Sequence, residues 1–348
     1  MNLLHGVGDF FSLDIGTNSM RIVQLAPGPN GSFVLSKYAY VPITAQLTQD
    51  SSDIGKRRLG EAILGAVNQA GIKTKNVAIG LPANKTFTSI VETENLPEKE
   101  LRKTFEYELD KYVPMAMEDA KADYVILGAS PVNPGKVEIL VSSTAKEYAE
   151  MQMDVIEKVG LNVVAMEPES LAMARALNPI SIADASMIID LGEMSTDLVI
   201  FFKNQPRLVR SIPGGFGLFV RSLAGSLNVP EDQARQFVLK FGLAQDKLEG
   251  QVFRVLSGPL DNYASELTKS IRFFQTKYPN IRVGNIVLSG YASRIPFVPE
   301  FIEAKTGVST MNGNPWQLVQ VSPEQQQALM NVASEFSVAI GLAERTND

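Results

Sequence analysis

The sequence predicts an α/β protein of two lobes, with a smaller α+β module inserted into the first. Three observations carry this expectation. A strand–glycine turn–strand motif occurs twice, half a chain apart. An amphipathic helix lies between stretches of strand material within residues 81–165. The length of 348 residues exceeds what one ordinary core accommodates.

The first motif is FSLDIGTNSMRIVQL, residues 11–25, with an aspartate, Asp14, inside an apolar strand. An unpaired carboxylate there loses several kcal/mol of hydration. Either the strand ends at Asp14 and the side chain is wet, or something bound there needs the charge. The same pattern recurs as IIDLGEMSTDLVIFF, residues 188–202. With Asp14 set over Asp190, no gap is needed. Gly16 falls on Gly192 and Ser19 on Ser195, and Ile22, Val23 and Leu25 keep step with Leu198, Val199 and Phe201. Each copy reads as a β-hairpin. Either copy alone is explained by an ordinary hairpin with a solvent-facing aspartate. The gapless pair suggests two lobes with related cores facing each other across a cleft. Successive N–H groups in such turns form anion sites. The candidate phosphate-binding residues are therefore Gly16, Thr17, Asn18 and Ser19 in one turn, and Gly192, Ser195 and Thr196 in the other. Asp14 and Asp190 are candidates to hold a hydrated Mg²⁺, which keeps most of its waters and takes one or two carboxylates.

Between the hairpins, GLPANKTFTSIVETENL reads as strand material. Leu101, Phe105, Leu109 and Val113 follow at a spacing of four and form one apolar helical stripe. ADYVILGAS and KVEILVSST read as two strands joined by a Pro/Gly turn. The helix AKEYAEMQMDVIEKVG and the strand LNVVAM close a module spanning residues 81–165. The stripe reads as core, with a partner groove as the alternative. MEPESLAMARAL (166–177) reads as a helix whose start suits Pro168. SIPGGFGLF (211–219) is a turn before a helix. NIVLSGYASRIPFVPEF (285–301) is a strand, a turn and a helix, and VASEFSVAIGLA (332–343) is a helix rich in small residues.

Composition narrows the function. Hydrophobic residues make up 45%, as in a globular protein, and the net charge is −6 with no basic block. That argues against nucleic acid and against electrostatic membrane binding. No cysteine and one histidine, His5, argue against disulfides, thiol nucleophiles, zinc clusters and a Ser-His-Asp triad. The N-terminus is a poor signal peptide, and no run reaches the ~18 apolar residues of a membrane span. The expectation is a soluble, cytoplasmic chain.

The paired hairpins resemble those of the actin-like ATPase superfamily. The implied fold is the actin-like (ribonuclease H-like) two-lobe ATPase fold with a 1C-type insert. By this resemblance, Glu167 lies near the γ-phosphate and positions the attacking water. Gly214, Gly215, Glu266, Lys269, Gly290, Tyr291 and Ser293 surround the adenosine, and ATP and Mg²⁺ are the implied ligands. Two departures stand out. Arg21 replaces a common lysine, and Tyr291 and Ala292 stand where glycines are usual, crowding the ribose or base. Weak ATPase activity or none is expected. Within the superfamily the chain resembles the PilM family of type IV pilus assembly proteins. The marks are LDIGTNSMRIVQL, LPEKELRKTFEYELDKYVPMAMEDAKADYVIL at 96–127, SIPGGFGLF and VLSGYASRIPFVPEFIEAKTGV.

That resemblance implies residues 1–80, 166–183 and 331–348 as subdomain 1A and 81–165 as 1C. It implies 184–212 with 284–330 as 2A and 213–283 as 2B. It also implies a scaffold of the inner-membrane assembly platform, reaching the membrane only through partners. The implied partner is the N-terminal peptide of a PilN-like membrane protein, bound between 1A and 1C. Such peptides centre on Asn-Leu-Leu, and this chain begins Met1-Asn2-Leu3-Leu4, so self-association through its own N-terminus is a further expectation. The alternatives are a nucleotide-free adaptor with the actin fold, an FtsA-like filament protein and a small-molecule kinase. The acidic ending GLAERTND lacks the amphipathic membrane helix of FtsA, and no acceptor-site signature supports a kinase.

Overall fold

A computed structural model describes residues 9–178, 185–330 and 332–345. The Asn2-Leu3-Leu4 start and His5 lie outside the described residues. The chain divides into two compact units, Met1–Ala176 with Pro315–Asp348, and Leu177–Asn314.

The first unit begins with β1 (Phe11–Ile15), β2 (Ser19–Pro27), β3 (Phe33–Pro42), α1 (Ala45–Gln49), α2 (Asp53–Gln69) and β4 (Asn76–Leu81). It continues through β5 (Thr86–Glu94), α3 (Glu98–Glu108), β6 (Ala120–Ala129), β7 (Lys136–Ala145), α4 (Lys146–Glu157), β8 (Asn162–Pro168) and α5 (Glu169–Leu177). The second unit holds β9 (Ala185–Leu191), β10 (Ser195–Phe202), β11 (Gln205–Pro213), α6 (Phe216–Leu227), α7 (Glu231–Phe241), α8 (Gln251–Lys277), β12 (Val283–Gly290), α9 (Val298–Thr306) and β13 (Ser309–Asn312). The chain then re-enters the first unit with β14 (Val319–Gln320), α10 (Pro323–Leu329) and α11 (Ser337–Ala343).

The two main sheets repeat one strand order. The first runs β14-β3-β2-β1-β4-β8 and the second β11-β10-β9-β12-β13. In each, an antiparallel three-stranded meander is extended by parallel strands on the side of its first strand. The internal repeat seen in the hairpins therefore extends to whole sheets.

Period-two alternation decides which side chain meets which layer. In β1 and β2, Phe11, Leu13, Met20 and Ile22 pack with Leu59, Ile63, Ala66 and Val67 of α2 and with Val155 and Ile156 of α4. Each of these buried side chains larger than alanine contributes about 1.5–3 kcal/mol. On the opposite face, Val23 and Leu35 pack with Phe336, Ala339 and Ile340 of the C-terminal segment. Ser12 shares that face and donates to the Ala339 carbonyl at 2.6 Å. Asp14, two residues on, points the same way. Ser52 caps α2 by accepting from the Gly55 amide, and Ser322 with Gln325 forms a reciprocal capping box on α10.

In the insert, β5-β7-β6 form an antiparallel sheet. Leu101, Phe105, Leu109 and Val113 are buried against Val137, Ile139 and Val141, so the stripe is core, but the helix expected to carry all four ends at Glu108, and Val113 lies in the turn beyond it. The insert is smaller than the sequence suggests. β8, the strand expected to close it, pairs in parallel with β4 of the main sheet, and α4 packs under that sheet. Residues 315–330 are a second correction. They were expected in the second lobe, but β14 pairs with β3, and Gln317 donates to the Ala176 carbonyl at 2.8 Å. Trp316 packs near Phe336 and donates to the Ala333 carbonyl. Among the described residues, no helix is long and apolar enough to cross a membrane.

Candidate functional site: two related hairpins

The two hairpin turns close with the same hydrogen bond. The Gly16 amide donates to the Ser19 carbonyl at 3.0 Å, and the Gly192 amide to the Ser195 carbonyl at 2.9 Å. Among the described residues, the amides of Thr17 and Asn18, and of Glu193 and Met194, have no backbone carbonyl partner in these turns. Each turn thus keeps amides available for an anion.

The hairpins differ in what faces the aspartate. Asp14 pairs across the strands with Arg21, and at the matching position Asp190 pairs with Asp197. In the first, Arg21 Nη1 donates to Asp14 Oδ2 at 2.7 Å, with side chains only 15% and 4% exposed. Glu335 lies 3.8 Å from the guanidinium and accepts from Tyr40 Oη at 2.9 Å and from Ser19 Oγ at 3.5 Å. Burial works against the Arg21 charge, but Asp14 and Glu335 outweigh it and raise its pKa further above the usual value. The same burial raises the Asp14 carboxyl, against the pull of Arg21. The Asp14 carboxylate, a candidate to hold a hydrated cation, is paired with a guanidinium on the neighbouring strand. Gly16 is part of this arrangement, since a Cβ there would fall 2.8 Å from Arg21 Nη1.

The second hairpin concentrates negative charge. Asp197 is 9% exposed, and burial, with Asp190 opposite, pushes its carboxyl up to about 7 against a hydrogen bond with Ser211. Tyr263 of α8 approaches the same pair, and burial raises its phenol far above the usual range. Asp190 Oδ1 lies over Gly290, where a Cβ would meet it at 2.6 Å, and Gly290 adopts φ +60°, which favours glycine. Among the described residues, no group of three or more His, Cys, Asp or Glu is placed to hold a metal. A Mg²⁺ at Asp190 would complete its shell with water and ligand oxygens. The donor set thus fits a hydrated Mg²⁺ at the second hairpin, whereas at the first the acid already has Arg21.

At the glycine-rich turn before α6, the Gly214 amide and the first two amides of the helix are already engaged. Gly214, Phe216 and Gly217 donate to the carbonyls of Met194, Gly192 and Glu193 at 3.2, 2.8 and 3.0 Å. A Cβ at Gly215 would fall 2.4 Å from the Gly192 carbonyl oxygen. Gly214 and Gly215 are therefore explained by close packing on the second hairpin, and Thr196 Oγ1 adds a bond to the Gly214 carbonyl. Tyr291 stacks on Phe216 with centroids 4.0 Å apart and planes 10° apart. Ser293 Oγ donates to the Gly290 carbonyl. Glu266 and Lys269 pair with each other at 2.7 Å on the surface of α8.

Glu167, expected near the γ-phosphate, is the next-to-last residue of β8, which ends at Pro168, and the helix begins at Glu169. Both its oxygens are engaged, Oε1 by Arg175 and Oε2 by Arg345 at 2.7 Å. Burial alone would raise its pKa, but the two guanidinium groups outweigh it and hold the carboxyl below the usual range. Both guanidinium groups thus hold Glu167 as an anion. Sequence reasoning did not anticipate Glu335, Tyr40, Arg175, Arg345, Glu193 or Arg235. Asp197 was within reach, because the repeat places it opposite Asp190 as Arg21 is opposite Asp14.

The doubled strand order, the two glycine turns and the acidic strand ends define a protein of the actin-like ATPase fold. Two solved structures support that class. EutJ, the ethanolamine utilization protein of Carboxydothermus hydrogenoformans, is 16% identical with a TM-score of 0.55 over 96% of this chain and 88% of that one. MreB5 of Spiroplasma citri bound to ADP is 13% identical with a TM-score of 0.53 over 96% and 95%. The family model for type IV pilus assembly protein PilM matches residues 12–347, and the chain belongs to that family. The structure of a PilM–PilN type IV pilus biogenesis complex is similar over 97% of this chain and 98% of that one, with 21% identity and a TM-score of 0.81.

Proposed function

We propose that this chain is an ATP-binding scaffold of a type IV pilus inner-membrane assembly platform. In this reading it lies at the cytoplasmic face and binds the N-terminal peptide of a PilN-like membrane protein between the main sheet of the first unit and its insert. Family membership across residues 12–347 is the observation that carries the reading. The available turn amides and the Asp190–Asp197 pair support nucleotide and Mg²⁺ binding, the nucleotide supplying phosphate charge for the turns. The double clamp on Glu167 favours a nucleotide-responsive scaffold over an efficient hydrolase, because no base is poised there.

Thermal melts with Mg-ATP, Mg-ADP and no ligand test the nucleotide part. At 100 Kd, a ligand that binds only the native state adds about 2.7 kcal/mol of stability. A Mg²⁺-dependent rise in Tm that Asp190→Ala abolishes is the expected result. No shift at millimolar nucleotide would leave a peptide-binding adaptor without nucleotide. Fluorescence anisotropy of a labelled PilN N-terminal peptide tests the partner, and absence of saturable binding would refute it.

A further inference from the structure

Tyr291, expected beside the adenosine in the second unit, is held by neighbouring side chains. Arg235 of α7 grips Glu193, in the turn of the second hairpin, through two hydrogen bonds, Nη2 to Oε1 at 2.7 Å and Nη1 to Oε2 at 2.9 Å. Its guanidinium lies 5.0 Å from the Phe216 centroid and 5.9 Å from that of Tyr291, and Nη1 reaches Tyr291 Oη at 3.4 Å. Phe216 is fully buried. Tyr291 lies flat on it at 4.0 Å, and the Arg294 guanidinium lies 5.7 Å from the Tyr291 centroid. Gly290 precedes the ring, and its φ of +60° and close approach to Asp190 leave that position to glycine.

Two planar groups in van der Waals contact are about 3.5–4 Å apart, so a third ring between them needs about 7 Å. No nucleobase enters between Tyr291 and Phe216 while they are stacked. The cation–π contacts and the paired Arg235–Glu193 charges hold them together. We infer that the Tyr291–Phe216 stack, locked by Arg235 and Glu193, is a built-in occupant of the nucleobase position, which a bound nucleoside triphosphate must displace. This rests on the nucleotide reading above and concerns only its base side. The phosphate turns remain open while the base side is closed, so triphosphate alone should bind without opening the lock.

Isothermal titration of the full chain with Mg-ATP and with Mg-tripolyphosphate, which lacks base and ribose, tests this. Tyr291→Ala and Arg235→Ala should each bind Mg-ATP about tenfold more tightly than wild type, roughly the worth of one aromatic stack. Mg-tripolyphosphate affinity should stay unchanged in Tyr291→Ala, which leaves both Arg235–Glu193 hydrogen bonds in place. Weaker Mg-ATP binding by Tyr291→Ala would make the ring a platform for the base and overturn the lock, as would unchanged affinity in both variants. Binding of neither ligand by any of the three proteins would refute the nucleotide reading itself, and the lock with it. Circular dichroism and melting without ligand check that the variants are folded. Glu193→Gln, which keeps the side-chain shape, should shift Mg-ATP affinity in the same direction by a smaller factor.

Discussion

The crossing of α5 and α11 makes a sharp demand on one residue. A Cβ built on Gly341 would lie 1.8 Å from the Ala172 carbonyl oxygen and 2.4 Å from its carbon. Carbon–oxygen contacts are comfortable at about 3.3 Å, so Gly341→Ala requires the two helix backbones to part by about 1.5 Å. Every residue of α11 from Ser337 to Ala343 is buried, so that shift disturbs the whole helix. Arg175 also donates to the Gly341 carbonyl at 2.5 Å. Overpacking costs about 1–3 kcal/mol, and the upper end applies because the obstacle is backbone. The better helix propensity of alanine returns about 1 kcal/mol. The expected net loss is about 2 kcal/mol, read from urea unfolding by linear extrapolation. Gly65, inside α2 of the same unit, is the control. A Cβ there meets nothing within 4 Å, and Gly65→Ala should stabilise by up to ~1 kcal/mol. If both substitutions move stability in the same direction, the close crossing is not what requires glycine. The damage should also reach the first hairpin, because Glu335 in the turn before α11 holds Arg21, Tyr40 and Ser19.

Asp14→Ala should lower stability by about 3 kcal/mol, since it leaves a buried guanidinium with only Glu335 at 3.8 Å, and Asp14→Ala/Arg21→Met should recover most of the loss. Wild-type stability in the single variant, by chemical denaturation, would show that the ion pair is not what satisfies the buried strand. Glu344 is 5% exposed, both its oxygens lack a hydrogen-bond partner, and burial pushes its carboxyl up to about 7 from 4.5, with Arg175 opposing. A raised carboxyl pKa favours the folded state while the group is protonated. That stability is therefore present below about pH 4.5 and lost as pH rises through 7, on the order of 3 kcal/mol in all. Glu344→Gln should match wild type at pH 4 and exceed it at pH 8, and an equal decline in both proteins would contradict the assignment.

Much of the architecture was legible because it follows from local periodicity. The two hairpins were found from apolar alternation and a glycine turn, and both close with the same Gly-to-Ser hydrogen bond. The Leu101–Val113 stripe was read as core and is core. The boundary of the insert was misread because LNVVAM has the composition of any buried strand, and only its pairing with β4 assigns it to the main sheet. Residues 315–330 were misplaced for the same reason. A two-residue strand such as β14 has no period to read, and its sheet is chosen by β3, which lies far away in sequence.

The charged side chains mark the limit of sequence reading most clearly. From the sequence alone came the repeat, the acidic strand ends, the glycine turns and the family resemblance, all carried by residues close together in the chain. Only the tertiary structure decided that Asp14 is neutralised by Arg21 while Asp190 faces another acid, that Glu167 is held by Arg175 and Arg345, and that Arg235 grips Glu193. Apolar burial follows a strand or helix period and can be read residue by residue. The state of a charge depends on which other groups share its few ångströms of low-dielectric space, and folding draws those groups from anywhere in the chain.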